Sequence, residues 1–367
     1  MPSIHLLRNE SLRAILSPLT NGRASEHFRP TIAAVYITTF CNSRCTMCDF
    51  WKNEHNPREL TSEQWGIVFS RLKAFGVDFV GVNASGEMFT RPDAFDILGH
   101  LRDLGMHFGV NSNGTLFTST KVKRLAALKP AQVTIGLDGV GDASYLVTRG
   151  LKNGFTKISR HIDYLKESGV QNIYLGSVLM RENLNEWHQI AEFGLEKGLT
   201  GVRYTAFHAA YFNQDPAKND TGYGGAEFLV AAEREIDRLI EIKRRTGIVK
   251  NSEEYLRRTI AYYKDPAHYF PVPCLQGSNR IEVDVYGNVT LCSFVTEPLG
   301  NLVKQEMEDI WNSEQHRRAR QDAYEGNCPK CFLSCYADEN LRLSTTAFLP
   351  TLGDSLQRGT RLLISGK

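Results

Sequence analysis

The sequence has no long apolar run, no excess of charge of either sign and, over its whole middle, no cysteine. Nothing in it approaches the ~20 consecutive apolar residues of a membrane-spanning helix, so no membrane span is predicted. The opening stretch, MPSIHLLRNESLRAILSPLT, puts charges inside its only apolar segment and offers no cleavage site, which argues against a signal peptide. A net charge of +2 lacks the basic surplus that nucleic-acid binding draws on, and gives no reason to expect a strongly acidic partner. Internal repeats and low-complexity segments are absent too. What remains is an ordinary globular composition over 367 residues, long enough for about two domains. The expected location is the reducing cytoplasm, where cysteines are metal ligands more often than disulfides.

The cysteines that are present are unevenly placed. Three of the 8 stand at Cys41, Cys45 and Cys48, in the run CNSRCTMCDFW, and the other five are Cys274, Cys292, Cys328, Cys331 and Cys335. Core cysteines would scatter; this distribution reads as two metal sites in two regions. The first run is C-x3-C-x2-C with no fourth cysteine nearby. A structural site closes on four protein ligands, so three leave one position open for chemistry. Thiolates in so tight a loop suit a [4Fe–4S] cluster whose fourth iron binds something other than protein.

From residue 31 to about 210 strand and helix patterns alternate. The strands are TIAAVYITT, DFVGVNA, HFGVNS, AQVTIGL, NIYLGSVLM and GVRYTAF; helices are expected at 61–76, near 93–104 and 119–128, at 156–169 and near 185–198. The first opens with the capping box Thr61-x-x-Gln64 and stops at Gly76. Such alternation predicts an α/β fold with a parallel sheet and right-handed crossovers, either doubly wound or a partial barrel. Residues 226–263 read as amphipathic, solvated helices linking to a cysteine-bearing unit that contains the hairpin-like IEVDVYGNVTLC. The predicted organisation is an N-terminal extension (1–30), a core (31–215), a helical linking region (216–270), a small α+β unit (271–340) and a tail (341–367).

The run at 41–48, placed directly after the first strand, resembles the signature of the radical S-adenosylmethionine (radical SAM) superfamily. That resemblance implies a partial (β/α)6 TIM-like barrel with the run at its C-terminal mouth. It also implies that SAM chelates the open iron and is cleaved to a 5′-deoxyadenosyl radical. Secondary motifs agree with departures. ASGEM (84–88) stands where the family has Gly-Gly-Glu-Pro: Ser85 and Met88 replace Gly and Pro, while Gly86 and Glu87 remain. Glu87 is then expected to accept from the SAM ammonium. Ser112 and Asn113 of NSNG would meet the SAM ribose or carboxylate, Arg149 of GLDG…TRG would pair the carboxylate, and Met47 would pack against adenine. As bare sequence, the Asn-Gly and Asp-Gly pairs are also ordinary turn residues.

Cys274-x17-Cys292, with Gly287 five before Cys292, precedes Cys328-x2-Cys331-x3-Cys335. Taken alone, the pairs would read as a zinc ribbon. Behind such a core they resemble the auxiliary-cluster extension called SPASM, or its shorter twitch form, and LGNL (299–302) fits that form. The resemblance implies one auxiliary [4Fe–4S] cluster on Cys274, Cys292, Cys328 and Cys331. Cys335 is left over as a substitute ligand, an inert thiol or a catalytic thiol facing the pocket. Only about 30 residues precede the core, too few for a leader-recognition domain. The leading expectation is therefore dehydrogenation or epimerisation of a small polar metabolite, such as a sugar or aminocyclitol, served by a reductant such as flavodoxin or ferredoxin. Peptide modification and a non-catalytic redox protein are the alternatives. Tyr204 and His208 are expected at the barrel mouth, and Asp49 and Trp51 flank the first cysteine run.

Overall fold

A computed structural model of the chain describes residues 29–83, 85–208, 223 and 225–343. Most of the predicted N-terminal extension, Ala84 of ASGEM, the last stretch of the core and the tail after 343 lie outside the described residues. Six parallel strands carry the core: β1 (Ile32–Tyr36), β2 (Phe79–Asn83), β3 (His107–Ser112), β4 (Gln132–Gly136), β5 (Ile173–Leu179) and β6 (Gly201–Ala206). Between them run α1 (Ser62–Phe75), α2 (Ala94–Asp103), α3 (Ser119–Ala127), α4 (Asp142–Arg149), α5 (Gly154–Glu167) and α6 (Trp187–Glu196). The capping box that opens α1 forms in full, and the helix ends at Gly76, whose φ of 111° only glycine adopts freely. No helix was predicted between the fourth strand and residue 156, yet α4 lies there. That helix has only eight residues, entered after Gly141 and left at Gly150 (φ 68°), so its glycines give the signal of a turn.

The strands form one sheet in the order β6-β5-β4-β3-β2-β1-β7-β8-β9. The predicted hairpin is β7 (Ile281–Val283) and β8 (Asn288–Thr290), followed by β9 (Gly300–Asn301). β7 pairs in parallel with β1, Ala34 facing Glu282, so the C-terminal unit prolongs the sheet of the partial barrel. Three helices complete this unit: α9 (Met307–Trp311), α10 (Glu314–Glu325) and α11 (Ser334–Leu343).

Between core and C-terminal unit stand α7 (Ala226–Thr246) and α8 (Glu253–Lys264). Expected to be a solvated link, they are instead part of the core. Phe228, Ile236, Leu239, Tyr255 and Tyr263 are buried, and Val249 bridges to Val202 at the sheet edge. Their apolar stripes at helical spacing are the cause; α7 covers α6, and α8 lies under α11.

Strand alternation divides the sheet into two faces. Val35, Val80, Val82, Val133 and Val202 are fully buried beneath the helices. On the opposite, lumen face, Tyr36, Asn83, Thr134, Gly136, Gly176 and Arg203 are only partly buried, and Asn111 is exposed, although all lie inside the sheet. A closed core would bury them; an open barrel lumen does not.

Candidate functional site

The loop from β1 to α1 carries Cys41, Cys45 and Cys48, with Cys48 N donating to Cys45 O (3.2 Å) and Ser43 N to the Cys41 sulfur (3.4 Å). Desolvation pushes the Cys41 thiol up to about 11 and Cys48 to about 12, and nearby thiols add to both shifts. Burial also raises Cys45, opposed by the charge of Arg149 and by a hydrogen bond from its side chain. Three mutually close thiols, one accepting a backbone N–H, fit a cluster held at three corners.

Gly86 is required here by contact. A Cβ on it would stand 1.9 Å from the Phe40 carbonyl oxygen, because Gly86 N donates to Thr38 O and Glu87 N to Phe40 O (2.8 Å). These bonds clamp the end of β2 on the cysteine loop. The Glu87 carboxylate is buried and accepts from Phe89 N, Ser112 Oγ (2.8 Å) and Asn113 N (2.7 Å). Desolvation raises its pKa and these three donors oppose the rise. Asn113 Nδ2 reaches Asn42 Oδ1 (3.0 Å) and Ser43 Oγ (2.9 Å). Ser112 and Asn113 thus brace Glu87 and the cysteine loop. Met47 is buried in the core beside that loop. Arg149 Nε lies 2.6 Å from Asp138 Oδ2, so its charge is balanced there.

Asp49 is buried and pairs with Lys52 (2.9 Å), while Trp51 is half-buried between the cations of Arg44 and Lys52. Tyr204 does not face the mouth. It is fully buried on the helix side of β6, its hydroxyl donating to Trp187 O (2.8 Å), because alternation gives the lumen to Arg203 and Thr205. His208 lies just past the strand, its Nε2 3.2 Å from Lys330 O and its ring 4.5 Å from Phe294. That places it against the C-terminal unit.

Cys274, Cys292, Cys328 and Cys331 line one pocket with Gln276 and Tyr336; Cys335 is not among its lining. Among the described residues no three His, Cys, Asp or Glu side chains converge on a single ion. Four thiols lining one pocket fit a cluster held at four corners. Cys335 stands at the start of α11, whose Ser334 N donates to Thr205 Oγ1 (3.1 Å). Tyr336 OH donates to Glu282 (2.6 Å) on β7. The start of α11 therefore bridges β6 and β7 on their lumen sides and closes the lateral seam of the barrel. Cys335 is exposed to solvent, yet desolvation by surrounding protein pushes its thiol up to about 12; Arg280, Glu282 and Glu339 act on it there.

Sequence reasoning missed Asp138 and Tyr145. Asp138 stood in the quoted GLDG, and Tyr145 lies one helical turn before Arg149, an i,i+4 pair on one face.

The profile described as "Radical SAM superfamily" matches residues 35–194, and "Iron-sulfur cluster-binding domain" (SPASM) matches 274–336. The AdoMet-dependent heme synthase of Nitratidesulfovibrio vulgaris is 23% identical over 339 residues, covering 86% of this chain and 89% of the relative. The sporulation killing factor maturation protein SkfB of Bacillus subtilis is 23% identical, covering 80% of this chain and 67% of SkfB. Among solved structures, Streptococcus suis SuiB bound to S-adenosylmethionine superposes with a TM-score of 0.59 at 14% identity, over 82% of this chain and 69% of SuiB. anSMEcpe with bound AdoMet and a peptide gives 0.61 at 17%, over 80% and 84%. These two structures share the fold. Among the described residues no helix is long and apolar enough to cross a membrane.

Proposed function

We propose that this chain, which belongs to the radical SAM superfamily and carries a SPASM-type iron–sulfur domain, inverts a C–H stereocentre of a small polar metabolite of the sugar or aminocyclitol kind. The observation that carries the reading is the position of Cys335, outside the four-thiol pocket, solvent-exposed, and next to Ser334 at the seam with β6. When bound, SAM and the first cluster supply a 5′-deoxyadenosyl radical that takes a hydrogen atom from substrate, and the auxiliary cluster supplies a one-electron redox centre.

The residues of the chain do the rest. Glu87, fixed by Ser112 and Asn113, has lone-pair capacity left for the SAM ammonium. In the lumen, the hydrogen-bonding groups of Tyr36, Asn83 and Asn111, with the unpartnered Thr134 hydroxyl, suit substrate hydroxyls. Cys335, its pKa pushed to about 12, keeps its hydrogen at neutral pH. It gives that atom to the substrate carbon radical from the face opposite abstraction: the S–H bond breaks, a C–H bond forms and a thiyl radical remains. A one-electron donor of the flavodoxin or ferredoxin class and a solvent proton restore the thiol.

Peptide modification is the second reading, favoured by relatives such as SkfB and the PqqA peptide cyclase of Streptomyces rochei. Anaerobic reconstituted protein should be incubated in D2O with panels of polar metabolites and of peptides. The expected result is 5′-deoxyadenosine with an inverted metabolite carrying one solvent deuterium. Cys335→Ala should still release 5′-deoxyadenosine but form no inverted product. A variant that forms the wild-type product at the wild-type rate makes Cys335 a bystander and overturns the inversion reading; turnover of peptides alone supports the second.

A further inference from the structure

The group of side chains under α4 has a polar atom that the fold leaves without a hydrogen bond. The Tyr145 hydroxyl is buried and has no partner. Arg149 Nε and Asp138 Oδ2 lie 2.6 Å apart as a buried ion pair. Leaving such a hydroxyl unpaired in a protein interior is costly, and Cys45 lies within electrostatic reach of both Arg149 and the Tyr145 phenol.

The chain is shaped to put them there. A Cβ on Gly136 would lie 2.5 Å from Arg149 Nη2, so only glycine in β4 admits the guanidinium. A Cβ on Gly154 would lie 2.2 Å from the Tyr145 ring, and one on Gly150 2.6 Å from the Arg44 carbonyl oxygen. Thr46 donates through its N (3.0 Å) and Oγ1 (3.1 Å) to Thr148 O, which fixes the end of α4 to the loop one residue after Cys45. Three close approaches and two hydrogen bonds thus hold the unpaired Tyr145 hydroxyl and the Arg149 guanidinium beside the cysteine loop.

We propose that the Tyr145 hydroxyl and the Arg149 guanidinium donate hydrogen bonds to the Cys45 sulfur when the first cluster is bound, and so raise the potential at which that cluster accepts its electron. Donors and positive charge at a cluster thiolate favour the reduced, more negative state. Both are positioning residues; neither needs to touch substrate. The inference rests on the assignment of Cys41, Cys45 and Cys48 as cluster ligands.

The test is an EPR-monitored redox titration of anaerobically reconstituted protein, with iron content and Mössbauer spectra read first on the same samples. Missing iron in the wild type would strike the cluster assignment itself. Tyr145→Phe should keep its iron and give an apoprotein at least as stable as wild type, since it removes a hydroxyl that bonds to nothing. Its midpoint should move to more negative potential by the equivalent of about a two- to tenfold change in the reduction equilibrium, tenfold being 59 mV for a one-electron couple. Arg149→Gln combined with Asp138→Asn, which leaves no lone buried charge, should move it the same way. A fully loaded Tyr145→Phe protein with the wild-type midpoint overturns the proposal. Should that variant fail to take up iron, wild-type protein carrying 13Cζ-tyrosine decides by ENDOR: no 13C coupling to the reduced cluster is the refuting result.

Discussion

Gly86→Ala adds a single methyl group at the tightest contact in the site. The new Cβ would stand 1.9 Å from Phe40 O and 2.2 Å from Phe40 C. Ordinary contacts begin near 3.4 Å, so the two segments must part by roughly 1.5 Å, and no rotamer relieves a backbone clash. Parting them breaks Glu87 N to Phe40 O and Gly86 N to Thr38 O. Overpacking costs about 1–3 kcal/mol and the two hydrogen bonds about 0.5–1.5 kcal/mol each, so the expected loss is about 2–6 kcal/mol. Phe40 precedes Cys41, so the displacement also moves a ligand. Urea denaturation of the apoprotein reads the first effect, and iron analysis after anaerobic reconstitution the second. Iron should fall from about eight per chain toward about four, because the auxiliary thiols are untouched. An alanine variant with wild-type stability and full iron content would refute the clamp.

Changing Cys41, Cys45 and Cys48 together to Ala should likewise leave about four irons per chain and abolish SAM cleavage; wild type holding about four irons and one zinc would overturn the auxiliary-cluster assignment. In the apoprotein, Cys335 should alkylate slowly at pH 8 despite its exposure. With its pKa near 12 against the ordinary 9.0, its thiolate fraction is lower by roughly a thousandfold. The rate should keep rising with pH through 10, and a plateau near pH 9 in a mass-resolved alkylation assay would show that the surrounding protein does not desolvate the thiol.

The parts of this molecule that sequence made legible are those set by local rules. The α1 capping box and the alternating strands are each decided within a few residues, and each forms as expected. Tyr204 shows where a local rule was available and not applied: period-two alternation along β6 puts it on the face opposite Arg203, and hence among the helices. The helices α7 and α8 fail for another reason. Their charged faces look solvated, but whether the apolar stripe finds a partner depends on α6, β6 and α11, which are distant in sequence. The surroundings of Cys45 are the extreme case. Gly136, Gly150 and Gly154 look like turn punctuation, and two of them do have loop neighbours, yet each is pinned by a contact with a side chain or carbonyl that sequence spacing does not reveal. Once the fold brings α4 over the cysteine loop, these glycines mark where backbone must yield room. Of the donors that fill that room, the Tyr145 hydroxyl is left without a partner, and a thiolate-bound cluster is an acceptor it matches.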